Sequence, residues 1–145
     1  MRLSRLKNKL VSAGGIVYRS YANELEVVVC CRMEPKSCNL PKGTPEHPET
    51  IEQTALREVR EETGLEVNIE KYVGKVCYEF FSAKDKIMVD KSVFYYLMIP
   101  VGGNFELHDH EFDTVSWIKA DKVETTLTYH NEVAIVQKGI SLVKR

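Results

Sequence analysis

The chain has 145 residues, 43% of them hydrophobic and 28% charged, with a formal net charge of -1, the size and balance of one ordinary globular domain. The near-neutral charge advertises neither nucleic acid nor an anionic membrane as a partner, and no apolar run approaches the ~18 residues of a membrane span. The basic N-terminus, MRLSRLKNKL, lacks the apolar core and small-residue cleavage site of a signal peptide, so a single cytoplasmic domain over 1–145, monomer or homodimer, is expected.

In chain order, 11–19 and 25–31 (LEVVVCC) read as strands joined by a turn at SYANE. The following RMEPKSCNLPKGTPEHPE is rich in Pro, Lys and Asn and reads as loop. Thr50 and Gln53 then form a T-x-x-Q capping box that starts a helix, and Gly64 stands where a C-terminal cap ends it. On that helix Ile51, Ala55, Leu56 and Val59 make one apolar stripe. LEVNIEKYV and KVCYEFFS are strands, AKDKIMVD is a polar connection, and KSVFYYLMIP is a strand ended by Pro100. The loop VGGNFELHDHEFD leads to a short strand, TVSWI, and KADKVETTL suggests a short helix. Asn131 or Thr128 would cap a final helix through EVAIVQKGISLVK, with Val133, Ile135, Val136, Ile140 and Val143 mostly at helical spacing. Helices enclosing a mixed sheet give an α/β or α+β class. Of the four cysteines, Cys30 and Cys31 point to opposite faces of their strand; no C-x-x-C pair occurs, so reduced thiols are expected.

The chemistry lies at the end of the first helix. In LREVREETG, Glu58, Glu61 and Glu62 are spaced by three and four, so their carboxylates crowd one another, at a cost of about 0.2–0.5 kcal/mol per like-charge pair. Two of them fall in the last turn, against the macrodipole, for roughly another 0.3–1 kcal/mol each. They occupy an arc beginning at the edge of the apolar stripe and are expected to be half-buried. An Arg57–Glu61 pair alone would not neutralise three such acids. Clustered hard oxygens suit Mg2+, with Mn2+ as a substitute, and a dication would offset both penalties.

Residues 43–65, GTPEHPETIEQTALREVREETGL, resemble the Nudix box, G-x5-E-x7-R-E-U-x-E-E-x-G-U with U apolar. Gly43, Glu49, Arg57, Glu58, Val59, Glu61, Glu62, Gly64 and Leu65 fill its positions. The segments SAGGIVYR, Arg32, LPKG, KSVFYYLM and EFDTVSWI are also similar to the Nudix pattern, so the resemblance covers nearly the whole chain. It implies a Nudix fold, an α/β/α sandwich with a central mixed sheet and a catalytic loop–helix–loop. It also implies Mg2+-dependent hydrolysis of a diphosphate bond in a nucleoside diphosphate linked to another moiety. Carried over by position, Glu58, Glu61 and Glu62 would hold the metal with the Gly43 carbonyl. Arg57 would orient the glutamates, and Glu49 and Gly64 would support the motif. Either Glu58 or Glu111, in HDHEFD, would be the general base, with Glu111 preferred as ligand or base.

Within the family the chain is most similar to the dinucleoside polyphosphate branch, the asymmetric diadenosine tetraphosphate hydrolases. LPKG, the run from GKVCYEFF to KSVFYYLM, and LTYHNE carry that resemblance. It implies Lys42 as a phosphate contact, Lys91 as a contact to a phosphate or a neighbouring backbone and Tyr78 as stacking on or bonding to a base; Arg32 is taken as a further substrate contact. Three positions depart from the branch: Cys38 where many relatives have tryptophan, Pro48 where glycine is common, and Phe94 where histidine often stands. Nucleoside triphosphate, nucleotide-sugar, ADP-ribose, RNA 5′-end and diphosphoinositol polyphosphate hydrolysis share the box. The last would want a broad basic pocket, and Arg32, Lys36, Lys42, Lys84, Lys86 and Lys91 are only scattered. A nucleotide-sensing Nudix module without catalysis usually lacks a box carboxylate; here all are present.

Overall fold

The computed structural model describes residues 7–144. Within them the element order is β1 (Lys7–Tyr21), β2 (Glu24–Met33), β3 (Lys36–Asn39), β4 (Lys42–Gly43), α1 (Ile51–Thr63), β5 (Leu65–Ser82), β6 (Ile87–Gly103), β7 (Thr114–Lys119), α2 (Val123–Thr126) and α3 (His130–Ser141). Single 3-10 turns occupy Phe105–Leu107 and Ala120–Lys122.

The described strands form one seven-stranded mixed sheet along the path β3-β2-β1-β6-β5, with β4 beside β1 and β7 beside β2. β1 and β6 run parallel, and the other pairs are antiparallel. The period-2 alternation of the central strands supplies an apolar layer on each face. Ala13, Val17, Val28, Tyr96 and Met98 pack with Ala55 and Val59 of α1. Ile16, Val27, Val29, Tyr95 and Leu97 pack with Val123, Val133, Ile135 and Val136 of α2 and α3. The result is the expected α/β/α sandwich.

Helix α1 begins and ends as its residues dictate. The Thr50 hydroxyl accepts from the Gln53 amide at 3.1 Å and the Gln53 side chain accepts from the Thr50 amide at 2.9 Å. Gly64, at φ 81°, adopts the left-handed conformation that closes the helix, and its amide donates to the Arg60 carbonyl. At the β1–β2 hairpin Ala22 and Asn23 both have positive φ, the twist a two-residue connection requires.

Several expectations are corrected. The segment after β2 contains β3 and β4, because Lys36–Asn39 folds back on Met33–Cys30 and the chain then crosses to Ala13 and Gly14 of β1. The two strands expected after Gly64 are one strand, β5, with register shifts at Glu66/Val67, Ile69/Lys71 and Tyr72/Gly74. β6 runs through Pro100 rather than ending there: β1 makes its last pairing at Met98, so the missing proline amide deprives β1 of no partner. Neither Thr128 nor Asn131 caps α3. The N-cap is Tyr129, without a side-chain bond, while the Thr128 hydroxyl accepts from the Cys38 amide at 2.8 Å. The expectation of reduced thiols fails at one pair. Cys31 and Cys38 face each other directly across β2 and β3 and form a disulfide, leaving Cys30 and Cys77 free.

Candidate active site

The last two turns of α1 and the crossing segment 39–43 bring the expected residues together, and Arg57 organises most of them. Its Nε and Nη2 donate to the two carboxylate oxygens of Glu49, the second at 3.0 Å, and Nη2 also donates to the Thr44 carbonyl at 2.9 Å. Its Nη1 donates to Glu58 Oε2 at 3.2 Å and to Glu61 Oε1 at 3.1 Å. One guanidinium therefore hydrogen-bonds three acids and pairs at 3.7 Å with a fourth, Glu46, which its planar five-donor fork allows and an ammonium would not. The Arg57 hydrogen bonds hold the Glu49 carboxyl well below its ordinary range, at about 2. Glu49 also accepts from Thr54 Oγ1 and from the Glu46 amide, both at 2.9 Å, tying the preceding loop to the helix.

The three crowded glutamates differ in burial. Glu61 is 45% exposed, Glu58 15% and Glu62 3%. Glu58 lies flat against Gly43: a Cβ at that position would fall 2.0 Å from the Glu58 carboxyl carbon, so only glycine permits the approach. Burial raises the Glu58 pKa; the Glu61 and Glu111 charges raise it further, against the lowering pull of Arg57. Arg57 makes no bond to Glu62, whose Oε1 accepts from the Lys42 amide at 3.2 Å. Burial, then the charge of Glu111, and after it that of Glu58, push the Glu62 pKa up to about 8. Arginine thus takes more of the charge than the sequence suggested, and the uncompensated remainder sits on Glu62.

A pocket of about 470 Å³ opens beside this cluster, lined among others by Arg32, Lys42, Glu62, Tyr78, Glu111 and Glu132. Gly43, Arg57, Glu58, Glu61 and Lys91 do not line it. Arg32 stacks over Phe112, 4.4 Å from the ring centroid, and its Nη2 lies 3.4 Å from Glu111 Oε2. That pair is 42% and 51% exposed, weak enough to exchange for other partners. Lys91 is half-buried; burial, and then the Lys42 charge, lower its pKa. The residue that sequence reasoning missed is Glu132. It is a glutamate on the otherwise apolar inner face of α3, between Val133, Val136 and the pocket, and that break in the stripe was the available signal.

Among the described residues no three His, Cys, Asp or Glu side chains converge as a ready metal-ligand group; Glu58 and Glu61 lean on Arg57 instead. The donor set nonetheless fits a hard dication. It consists of carboxylate oxygens in one another's field, one of them buried with its proton affinity raised by its neighbours, and a glycine that leaves room for a carboxylate against the loop.

A family model for the NUDIX domain matches residues 9–137. The chain belongs to the Nudix family. Among curated proteins this Nudix chain is 36% identical over 107 residues to "Putative mutator protein MutT4" of Mycobacterium tuberculosis, covering 74% of this chain and 42% of that one. It is 26% identical over 143 residues to the "8-oxo-(d)GTP phosphatase" of Mycolicibacterium smegmatis, covering 92% and 42%. The chain thus spans about two fifths of the length of these relatives. Among solved structures it superposes on the C. elegans Ap4A hydrolase binary complex with a TM-score of 0.73 at 23% identity, covering 91% of this chain and 96% of that one. It superposes on a NUDIX hydrolase from Nitrosomonas europaea with a TM-score of 0.71 at 17% identity, covering 92% and 90%. At such identities the superpositions speak for the fold.

Proposed function

We propose that this Nudix domain is a Mg2+-dependent pyrophosphohydrolase acting on a nucleoside diphosphate linked to another moiety, with dinucleoside polyphosphates such as diadenosine tetraphosphate as its leading substrate class. The observation that carries the reading is Glu62, a nearly inaccessible carboxylate at the wall of the pocket, within the field of Glu58 and Glu111 and beyond the reach of Arg57. Glu58, Glu61, Glu62, Glu111 and the Gly43 carbonyl would hold the ion. Bound there, such an ion would neutralise phosphate oxygens and would make a coordinated water more acidic.

The protein's own residues supply the rest. Lys42 presents a positive charge at the pocket for the phosphate chain, and Lys91, outside the lining but within the field of Lys42, would add a second for a chain that extends past the wall. Arg32 can leave its weak pair with Glu111 for a phosphate oxygen. Tyr78 offers a ring face to a base. Glu111 lines the pocket and is half-exposed, so it can accept the proton of an attacking water, whereas Glu58 lies outside the lining and is held by Arg57. Positioned proton transfer is worth about 10²–10⁴-fold; Glu111→Gln is therefore expected to lower kcat at least about 100-fold, and near-normal turnover would return the role to Glu58.

A second reading, sanitation of damaged nucleoside triphosphates, is favoured by the similarity to the 8-oxo-(d)GTP phosphatase. The test is product release with and without excess chelator from diadenosine tetraphosphate, 8-oxo-dGTP, ADP-ribose and a nucleotide sugar. Chelator-sensitive ATP release from the first supports the proposal. Inert diadenosine tetraphosphate with rapid 8-oxo-dGTP turnover transfers it to the second reading, and no product from any substrate argues for a sensor.

A further inference from the structure

Glu132 has no role in the chemistry described so far, yet it is one of the most constrained acids in the molecule. Its side chain is 6% exposed. Oε1 accepts from the Leu40 amide at 3.1 Å, and Oε2 lies 3.5 Å from the Tyr95 hydroxyl and 3.6 Å from Lys42 Nζ. Lys42 is consequently held at both ends, its amide on Glu62 of α1 at 3.2 Å and its ammonium on Glu132 of α3. The two acids belong to helices on opposite faces of the sheet, and the segment between them carries Gly43, against which Glu58 rests.

The charge on Glu132 needs an explanation that folding does not provide. Burial disfavours its ionised form, and the Leu40 amide alone could be met by the neutral oxygen of a glutamine. A buried ion pair replaced whole by neutral groups commonly loses no stability, so folding alone does not call for this one. The Asn39 side chain also hydrogen-bonds the carboxylate, and Lys42 is the partner that brings the opposite charge. Lys42 carries a flexible four-carbon stem beside Glu62, where negative charge is in excess, so without a competing acid its ammonium would turn towards the carboxylates that would receive the dication.

Resting on the reading that this pocket takes a diphosphate, we propose that Glu132 is a positioning residue: it holds the Lys42 ammonium at the pocket wall, available to the phosphate chain and away from Glu62. The fold thereby couples the α3 side of the pocket to the acid cluster of α1 through one lysine.

The test is calorimetric binding of methylenebisphosphonate, a diphosphate mimic that is not hydrolysed, in MgCl2. The proteins are the wild type, Glu132→Gln, Lys42→Met and the double variant, each with its melting temperature. Glu132→Gln is expected to fold but to bind roughly tenfold more weakly, Lys42→Met to lose a similar factor, and the double variant to lose no more than Lys42→Met alone. Should Glu132→Gln not fold, Glu132→Asp, which keeps the charge but shortens its reach, takes its place in the same comparison. Binding in the Glu132 variant equal to wild type, losses that multiply in the double variant, or a wild type that does not bind would each overturn the inference. Hydrolysis is a separate readout. A wild type that shows the binding pattern but cleaves nothing refutes the proposed activity and leaves the role of Glu132 standing; the converse result does the opposite.

Discussion

At the residue scale, the acid cluster sorts itself by what each carboxylate can reach. Arg57 binds Glu49, Glu58 and Glu61, and the glutamate it does not bind is the buried one. The pattern of acids was legible because spacing along a helix fixes which side chains meet, and the cap residues Thr50, Gln53 and Gly64 declared where that helix would start and stop. That Arg57 would orient the box glutamates was implied by the motif; that it also binds Glu49 was not legible, since Glu49 reaches Arg57 only after the loop before α1 has folded. Glu62 yields a prediction of its own. In the folded, metal-free protein its pKa is about 8, against an ordinary 4.5. Below about pH 4 the carboxyl is protonated in both folded and unfolded chains, and its contribution to stability is fully present. As the pH rises towards 8 the unfolded chain has released its proton while the buried group still holds one, so that contribution is progressively lost. Chelated wild-type protein should thus become less stable to urea between about pH 5 and 8, by up to a few kcal/mol, and Glu62→Gln should flatten this slope. An identical slope in the variant would assign the effect to other groups.

At the element scale, elements whose pattern is local were legible and those that depend on a distant partner were not. Helix α1 carries its caps and stripe between Thr50 and Gly64. β3 and β4 are too short and too polar to announce themselves; they exist because β2 and β1 offer unpaired edges on either side of Lys36–Gly43. The disulfide was hidden for the same reason. Without β3, a separation of seven residues says nothing, whereas with it Cys31 and Cys38 are direct cross-strand neighbours. The bond sits at the base of the hairpin that carries Arg32, Ser37 and Asn39 into the pocket. Thiol titration of the denatured, unreduced protein should therefore find two free cysteines, Cys30 and Cys77, and four after reduction. Opening so short a loop should cost roughly 2–3 kcal/mol on the chain-entropy account, seen as a lower urea midpoint for Cys31→Ser. Four reactive thiols before reduction would remove the bond.

At the scale of the whole molecule, the sandwich explains why the pocket lies where it does. β1 and β2 pair only near their hairpin, from Tyr18 to Tyr21 against Glu24 to Val27, and the segment 39–43 crosses the space between them. An acid from the α1 layer and an acid from the α3 layer meet at that crossing, on either side of Lys42. Ion uptake at this junction should be felt by the global fold, because α1, the crossing segment and the loop of Glu111 belong to different elements that a shared ligand would bind together. A ligand selective for the folded state stabilises by about 2.7 kcal/mol at a hundred times its dissociation constant, and a domain near this size gains about 2–4 °C per kcal/mol. Saturating MgCl2 should accordingly raise the melting temperature by roughly 5–10 °C over the chelated protein, and Glu62→Gln, which removes the most buried of the proposed ligands, should abolish most of that rise. CaCl2 at the same concentration serves as the control for general salt effects, since the smaller ion demands tighter octahedral geometry than the larger. A wild type that melts at the same temperature with MgCl2 as with chelator would mean that the crowding of Glu58, Glu61 and Glu62 is relieved by Arg57 and by protonation alone, and the hydrolase reading would lose its foundation.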